Sequence, residues 1–157
     1  MDSSVLSAQP AIEQIDDQPN LLMGLIGGVI AMLVGAVVWG AITYFTQYQI
    51  GYAAIGVGFL VGIAVKFFGR GKSMVFGISS AVLALLGCIL GNFLYYTGAI
   101  AQLENASFLD MFFFLLLNPA VILEVFIGAF HYMDILFYAL AIYAGFSTAL
   151  DLRKNRK

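Results

Sequence analysis

The chain has 157 residues, of which 62% are hydrophobic and 10% are charged, against roughly 25% charged residues in an average soluble domain. Its mean hydropathy is +0.96. A water-soluble domain of this length cannot bury so much apolar surface, so the composition predicts an all-α polytopic membrane protein with membrane lipids as its first partners. The seven basic residues are not interleaved with aromatic residues on a polar surface, which argues against nucleic-acid binding.

The N-terminal segment, residues 1–20, is polar and acidic and contains no basic residue. It lacks the basic start and short apolar core of a signal peptide, so we expect a disordered acidic tail. A first membrane span is predicted at 21–45, with Asn20 as its N-cap. Trp39 and Tyr44 lie toward its far end, where aromatic rings favour the membrane interface.

The second predicted span covers residues 53–68 and follows a short uncharged loop. Here Ala54, Gly58 and Gly62 recur at every fourth residue, which places three small residues in one line on a helix. Small residues in such a line allow the backbones of two transmembrane helices to approach closely. We therefore expect helix packing along this line, and the same argument applies to small residues of the first span, at Gly24, Gly28 and Gly35, and of the third, at Gly77, Ala84 and Gly91.

The third predicted span covers residues 74–99. Asn92 is its one strongly polar residue, for which an interhelical hydrogen bond is the expected role and a substrate contact the alternative. Cys88, one turn earlier, is the only cysteine of the chain, so no intrachain disulfide can form.

The segment that follows contains two apolar stretches too short to span a bilayer, at about 107–117 and 119–130. They are separated at Asn118, which can cap a helix, and Pro119, which suits a first helical turn. Two short helices, interfacial or re-entrant, are therefore predicted. Asp134 then caps a fourth predicted span at 135–150.

The basic residues predict the topology. With four spans, all of them lie on one side of the membrane, which the positive-inside rule makes the cytoplasm, together with both termini and a basic tail at 151–157. A fifth span would place the C-terminal basic residues outside. The topology-determining residues are Lys66, Arg70, Lys72, Arg153, Lys154, Arg156 and Lys157.

A candidate polar site is formed by Asn92 together with three ionisable residues, Glu124, His131 and Asp134. On one continuous helix the last three would share a face and could bind a divalent cation or relay protons. A helix break near Tyr132 favours structural roles instead, and no second histidine or nearby cysteine completes an ordinary metal site. We expect no metal, no cofactor and no catalytic residue.

Three stretches carry a resemblance to a known group. They are GYAAIGVGFLVGIAVKFFGRG, the Gly-Cys-Ile-Leu-Gly-Asn part of the third span, and MDILFYALAIYAGF. In these stretches the chain resembles a group of small bacterial integral membrane proteins of uncharacterised function. The resemblance implies a multi-pass protein of a bacterial inner membrane and brings no activity or ligand with it.

The function predicted from the sequence is non-enzymatic. Small-residue lines on three spans favour a protein that self-associates as a homo-oligomer or supports a complex with another membrane protein. The alternative is a small oligomeric transporter or channel in which Asn92, Glu124, His131 and Asp134 line a polar path.

Overall fold

The computed structural model describes residues 19–48, 51–71, 73–130 and 132–150. Six helices are present in this part of the chain. They are α1 (Leu21–Thr46), α2 (Gly51–Gly69), α3 (Met74–Leu103), α4 (Phe108–Leu117), α5 (Pro119–Ala129) and α6 (Tyr132–Ala149). The fold is all-α, as predicted, and four of the helices, α1, α2, α3 and α6, are long and apolar enough to cross a membrane.

The four long helices form one bundle in which α2 and α3 occupy the centre, with α1 packed on one side and α6 on the other. The start of α1 meets the end of α2, where the Asn20 backbone N–H donates to the Gly69 carbonyl oxygen at 2.9 Å. Leu150, just after α6, packs against Gly77 near the start of α3. The beginnings of α1 and α3 and the ends of α2 and α6 therefore share one end of the bundle.

This end, which contains Lys66 and Arg70, is called the basic end below. The opposite end, where α3 finishes and α4 begins, contains Glu104 and Asp110 and is called the acidic end. Lys72 and the residues 151–157 lie outside the described residues, as do the tail residues 1–18 and His131.

The α4–α5 pair is bent by 102° at Asn118–Pro119. By length and apolar character the pair could count as a fifth span. However, α3 ends and α6 begins at the acidic end, so the pair leaves and returns at the same end of the bundle. Pro119 opens α5, and the Asn118 side chain donates to the Phe114 carbonyl oxygen at 2.7 Å instead of capping α5 as predicted.

Two helix ends differ from the sequence prediction by more than two residues. Helix α3 continues to Leu103, four residues beyond the predicted end, because no residue before Glu104 interrupts its hydrogen bonding. Helix α6 begins at Tyr132, so Asp134 lies within its first turn and is not its N-cap. The Asn20 cap is confirmed, since its side-chain oxygen accepts from the Met23 backbone N–H at 3.2 Å.

Candidate functional site

Two linked hydrogen bonds, one buried and one partly buried, join three spans in the half of the bundle near the acidic end. The Trp39 indole N–H on α1 donates to the Asn92 side-chain oxygen on α3 at 2.8 Å. The Asn92 amide nitrogen in turn donates to the Tyr138 hydroxyl oxygen on α6, also at 2.8 Å. The predicted interhelical hydrogen bond of Asn92 is thus confirmed, and Asn92 uses both ends of its amide.

The direction of these linked hydrogen bonds is set by the first donor, because an indole N–H can only donate. Asn92 must therefore present its oxygen to Trp39 and its NH2 group to Tyr138. The Tyr138 hydroxyl accepts this bond and keeps its own proton for a further acceptor. Asp134 lies one helical turn earlier on the same helix, α6, and is 2% exposed.

Among the residues that the structure describes, the members of the candidate polar site do not form one cluster. Asn92 and Asp134 are both buried, and Asn92 bonds to Tyr138, which lies one helical turn after Asp134 on α6. Glu124 is exposed on α5, which ends at Ala129, before α6 begins. His131 falls outside the described residues, and no group of three histidine, cysteine or acidic side chains that could hold a metal occurs within the described part of the chain.

The small residues lie at contacts between helices of the same chain. A Cβ atom built on Gly62 would lie 2.9 Å from the Gly145 carbonyl oxygen of α6, and one on Gly58 would lie 3.0 Å from the Ala144 Cβ. The line on α2 therefore faces α6, with Ala54 fully buried.

The corresponding small residues of the other spans are also used internally. On α1, Gly35 faces α2, while Gly24 and Gly28 lie against both α2 and α3. The small residues of α3 contact two different helices. Gly77 and Ala84 lie against α6 or the residue after it, whereas Gly91 lies against Trp39 of α1. All these contacts form the interior of a single bundle.

An open groove of about 630 Å³ lies between α1 and α3 at the acidic end, and it is called the α1–α3 groove below. Small residues such as Gly40, Ala41 and Gly98 leave open space between the two helices. Phe108 of α4 lies at one side of the groove. Its polar groups are the Tyr44 hydroxyl and the Gln102 side chain, which share a long hydrogen bond of 3.4 Å.

Sequence reasoning missed the roles of Trp39 and Tyr138. The sequence predicts only that Trp39 favours the membrane interface; its side chain is buried in the bundle, with 1% of its surface exposed. The contact between Trp39 and Asn92 could have been inferred from one signal in the sequence. Trp39 lies seven residues before the end of its helix, level with an asparagine in a neighbouring span. Two further buried hydroxyls, of Thr43 and Ser80, have no hydrogen-bond partner among the residues that the structure describes.

Comparison with known proteins adds no identification. No family model matches the chain, and no curated protein or solved structure is significantly similar to it.

Proposed function

We propose that this chain is a non-enzymatic integral membrane protein that assembles with a different membrane protein through its α4–α5 pair, with both termini in the cytoplasm. The observation that carries the proposal is the state of α5. This helix is apolar except for Glu124, and none of its eleven residues is buried within the chain. Apart from the side that carries Phe126, which packs on Tyr96, the described residues leave much of the α5 surface exposed, including Leu123, Glu124 and Ile127.

The small-residue lines no longer support self-association, because they already pack α1, α2, α3 and α6 against one another. Oligomerisation therefore has to use another surface. The α4–α5 pair contacts the bundle chiefly through α4, with Leu115 buried and Phe112 packed edge-on against Phe93. On α5, the Phe126 ring packs against Tyr96 at a centroid distance of 5.3 Å.

Glu124 supplies the chemistry expected of the partner. A carboxylate surrounded by exposed apolar residues, among them Leu123 and Ile127, is unfavourable against lipid and becomes favourable beside a basic or hydrogen-bond-donating side chain. Two copies meeting symmetrically at Glu124 would place like charges together. Charge complementarity therefore favours a different protein with a basic or donor residue in its contacting helix.

Site-specific photocrosslinking in membranes tests this proposal. A photoreactive residue at Leu123 or Ile127 should crosslink to one defined protein, whereas the same residue at the exposed Leu33 of α1 should not. Glu124→Leu should reduce the crosslink at Ile127 about tenfold, while Glu124→Gln, which keeps hydrogen bonding, should reduce it less. The crosslinked segment of the partner should contain a basic or donor side chain.

Three outcomes would overturn the proposal. They are crosslinking of the same proteins from Leu33 and Ile127, yields unaffected by Glu124→Leu, or a product consisting only of two copies of this chain. The last outcome would restore self-association through a surface that the small residues do not form.

A small transporter is the second candidate, favoured by the linked hydrogen bonds of Trp39, Asn92 and Tyr138, the last of which lies one helical turn after the buried Asp134. Ionisable residues inside a membrane domain often mark ion or proton pathways. Asp134→Asn in liposomes should then abolish uptake of a transported ion or solute. A flux equal to that of the unaltered protein for every ion and small solute tested would leave Asp134 with a structural role.

A further inference from the structure

We propose that the α1–α3 groove binds one acyl chain of a phospholipid whose headgroup carries an ammonium group, such as phosphatidylethanolamine. The groove volume of about 630 Å³ lies within the range of roughly 300–1,000 Å³ that ligand sites occupy. The site lies on the bundle surface and is separate from the α5 surface proposed above for a protein partner.

The length and position of the groove fit a single chain in one leaflet. Its lining runs from Val37 to Phe45 on α1 and from Leu94 to Gln102 on α3. Eight residue steps along a helix correspond to about 12 Å, close to the roughly 15 Å of hydrocarbon in one leaflet. Because α3 has 30 residues and is about 45 Å long, its end at Leu103 reaches the polar interface.

The polarity of the groove indicates which way the lipid lies. Apolar side chains line most of it, while Tyr44 and Gln102 come from the last turns of α1 and α3. An acyl tail therefore contacts the apolar part, and the ester or phosphate end reaches the Gln102 side-chain NH2 group, which can donate hydrogen bonds while the Gln102 oxygen accepts from the Tyr44 hydroxyl. None of the described residues that line the groove carries a charged side chain.

The charge of the rim selects the headgroup. Glu104 caps the end of α3 two residues after Gln102, and Asp110 lies in the first turn of α4, the helix that contributes Phe108 to the groove. Both residues are exposed, and the sequence contains no lysine or arginine between Lys72 and Arg153. An acidic rim without basic residues attracts an ammonium group and repels an anionic headgroup such as phosphatidylglycerol.

Native mass spectrometry of the full chain, released from nanodiscs of equimolar phosphatidylethanolamine and phosphatidylglycerol, tests the proposal. The unaltered protein should retain one phospholipid, with phosphatidylethanolamine favoured about fivefold. Ala41→Phe should fill the groove and abolish retention. Ala139→Phe, the same change at an exposed position of α6, should leave retention unchanged.

The headgroup preference is tested separately from chain binding. The double variant Glu104→Gln, Asp110→Asn should still retain a lipid, but the ratio of the two phospholipids should fall to about one. The fluorescence of Trp39, the only tryptophan, checks that each variant folds. If Ala41→Phe fails this check, Ala106→Phe blocks the groove from the loop side.

The proposal is overturned if the unaltered protein retains no lipid or prefers phosphatidylglycerol. It is also overturned if Ala41→Phe and Ala139→Phe retain the same amount, because general contact with surrounding lipid then explains the signal. An unchanged ratio in the double acidic variant would refute the headgroup selection and leave chain binding in place.

Discussion

Asn92 connects more of the bundle than any other polar side chain described above. Its amide bonds to Trp39 and Tyr138 tie α3 to α1 and to α6 at one level. Interhelical hydrogen bonds in membranes contribute about 0.6 kcal/mol on average and at most about 1.7. Loss of the amide also leaves the buried Trp39 indole N–H without its acceptor, which adds a desolvation penalty.

Asn92→Leu should therefore lower the free energy of unfolding by roughly 1–3 kcal/mol. Unfolding in mixed detergent and SDS micelles, followed by circular dichroism, measures the change. In a double-mutant cycle with Tyr138→Phe, the coupling free energy should be about 0.6–1.7 kcal/mol. A coupling of zero would show that the 2.8 Å contact between Asn92 and Tyr138 does not stabilise the fold.

The burial of Trp39 illustrates the limit of sequence reasoning for single residues. A tryptophan near the end of a span fits the interface and a buried contact equally well. The choice depends on how α1 is rotated relative to α3, which is set by packing between the two helices. Asn92 was easier to interpret, because an amide inside a span must find a hydrogen-bond partner.

The contact between helices α2 and α6 depends on glycines of α2, which have no side chain to hold the two helices apart. A Cβ on Gly58 would collide with the Ala141 carbonyl oxygen, whereas Gly56, two residues earlier, has no atom within 4 Å of such a Cβ. The backbone at Ala141 cannot move aside as a flexible side chain would. Gly58 and Gly56 therefore provide a test position and a control position for substitution within the same helix.

Gly58→Ala should destabilise the bundle by about 1–3 kcal/mol, since the two helices must separate. Gly56→Ala should be neutral or stabilise it by up to about 1 kcal/mol, because alanine is the better helix former. Thermal unfolding of both variants in the same detergent compares them. Equal effects would mean that helix propensity, and not the approach of α6, determines the response.

The sequence predicted most helices to within a few residues, but not which of them meet. The spacing of Ala54, Gly58 and Gly62 identifies a packing face, yet it contains no information about the helix opposite. The break at Asn118–Pro119 was predictable because proline lacks the N–H that a continuous helix needs. The capping role of Asp134 was wrong, since α6 begins two residues before it.

At the scale of the whole molecule, the fold places residues 20, 70 and 150 at one end. The sole cysteine, Cys88, is fully buried, so the unaltered protein should show no background reaction with a maleimide label. The positive-inside rule predicts that the end with Arg70 faces the cytoplasm. Ser73 and Ser107, both exposed, mark the basic and acidic ends respectively.

In intact bacterial cells, Ser107→Cys should react with a membrane-impermeant maleimide, whereas Ser73→Cys should react only after permeabilisation. The unaltered protein should remain unlabelled in both conditions, because Cys88 is inaccessible. Labelling of Ser73→Cys in intact cells would reverse the orientation. Labelling of both positions from outside would contradict the arrangement of the spans.

The position of α6 in the bundle has a consequence for biosynthesis. Helices α1, α2 and α3 are synthesised first. The surface formed by Gly58, Gly62 and Gly77 is covered only when α6, which begins nearly thirty residues after α3 ends, has been synthesised. At roughly 5–20 residues per second, translation from Leu103 to Ala149 takes about 2–9 s. During that interval a nascent three-span chain carries an open cleft of bare backbone.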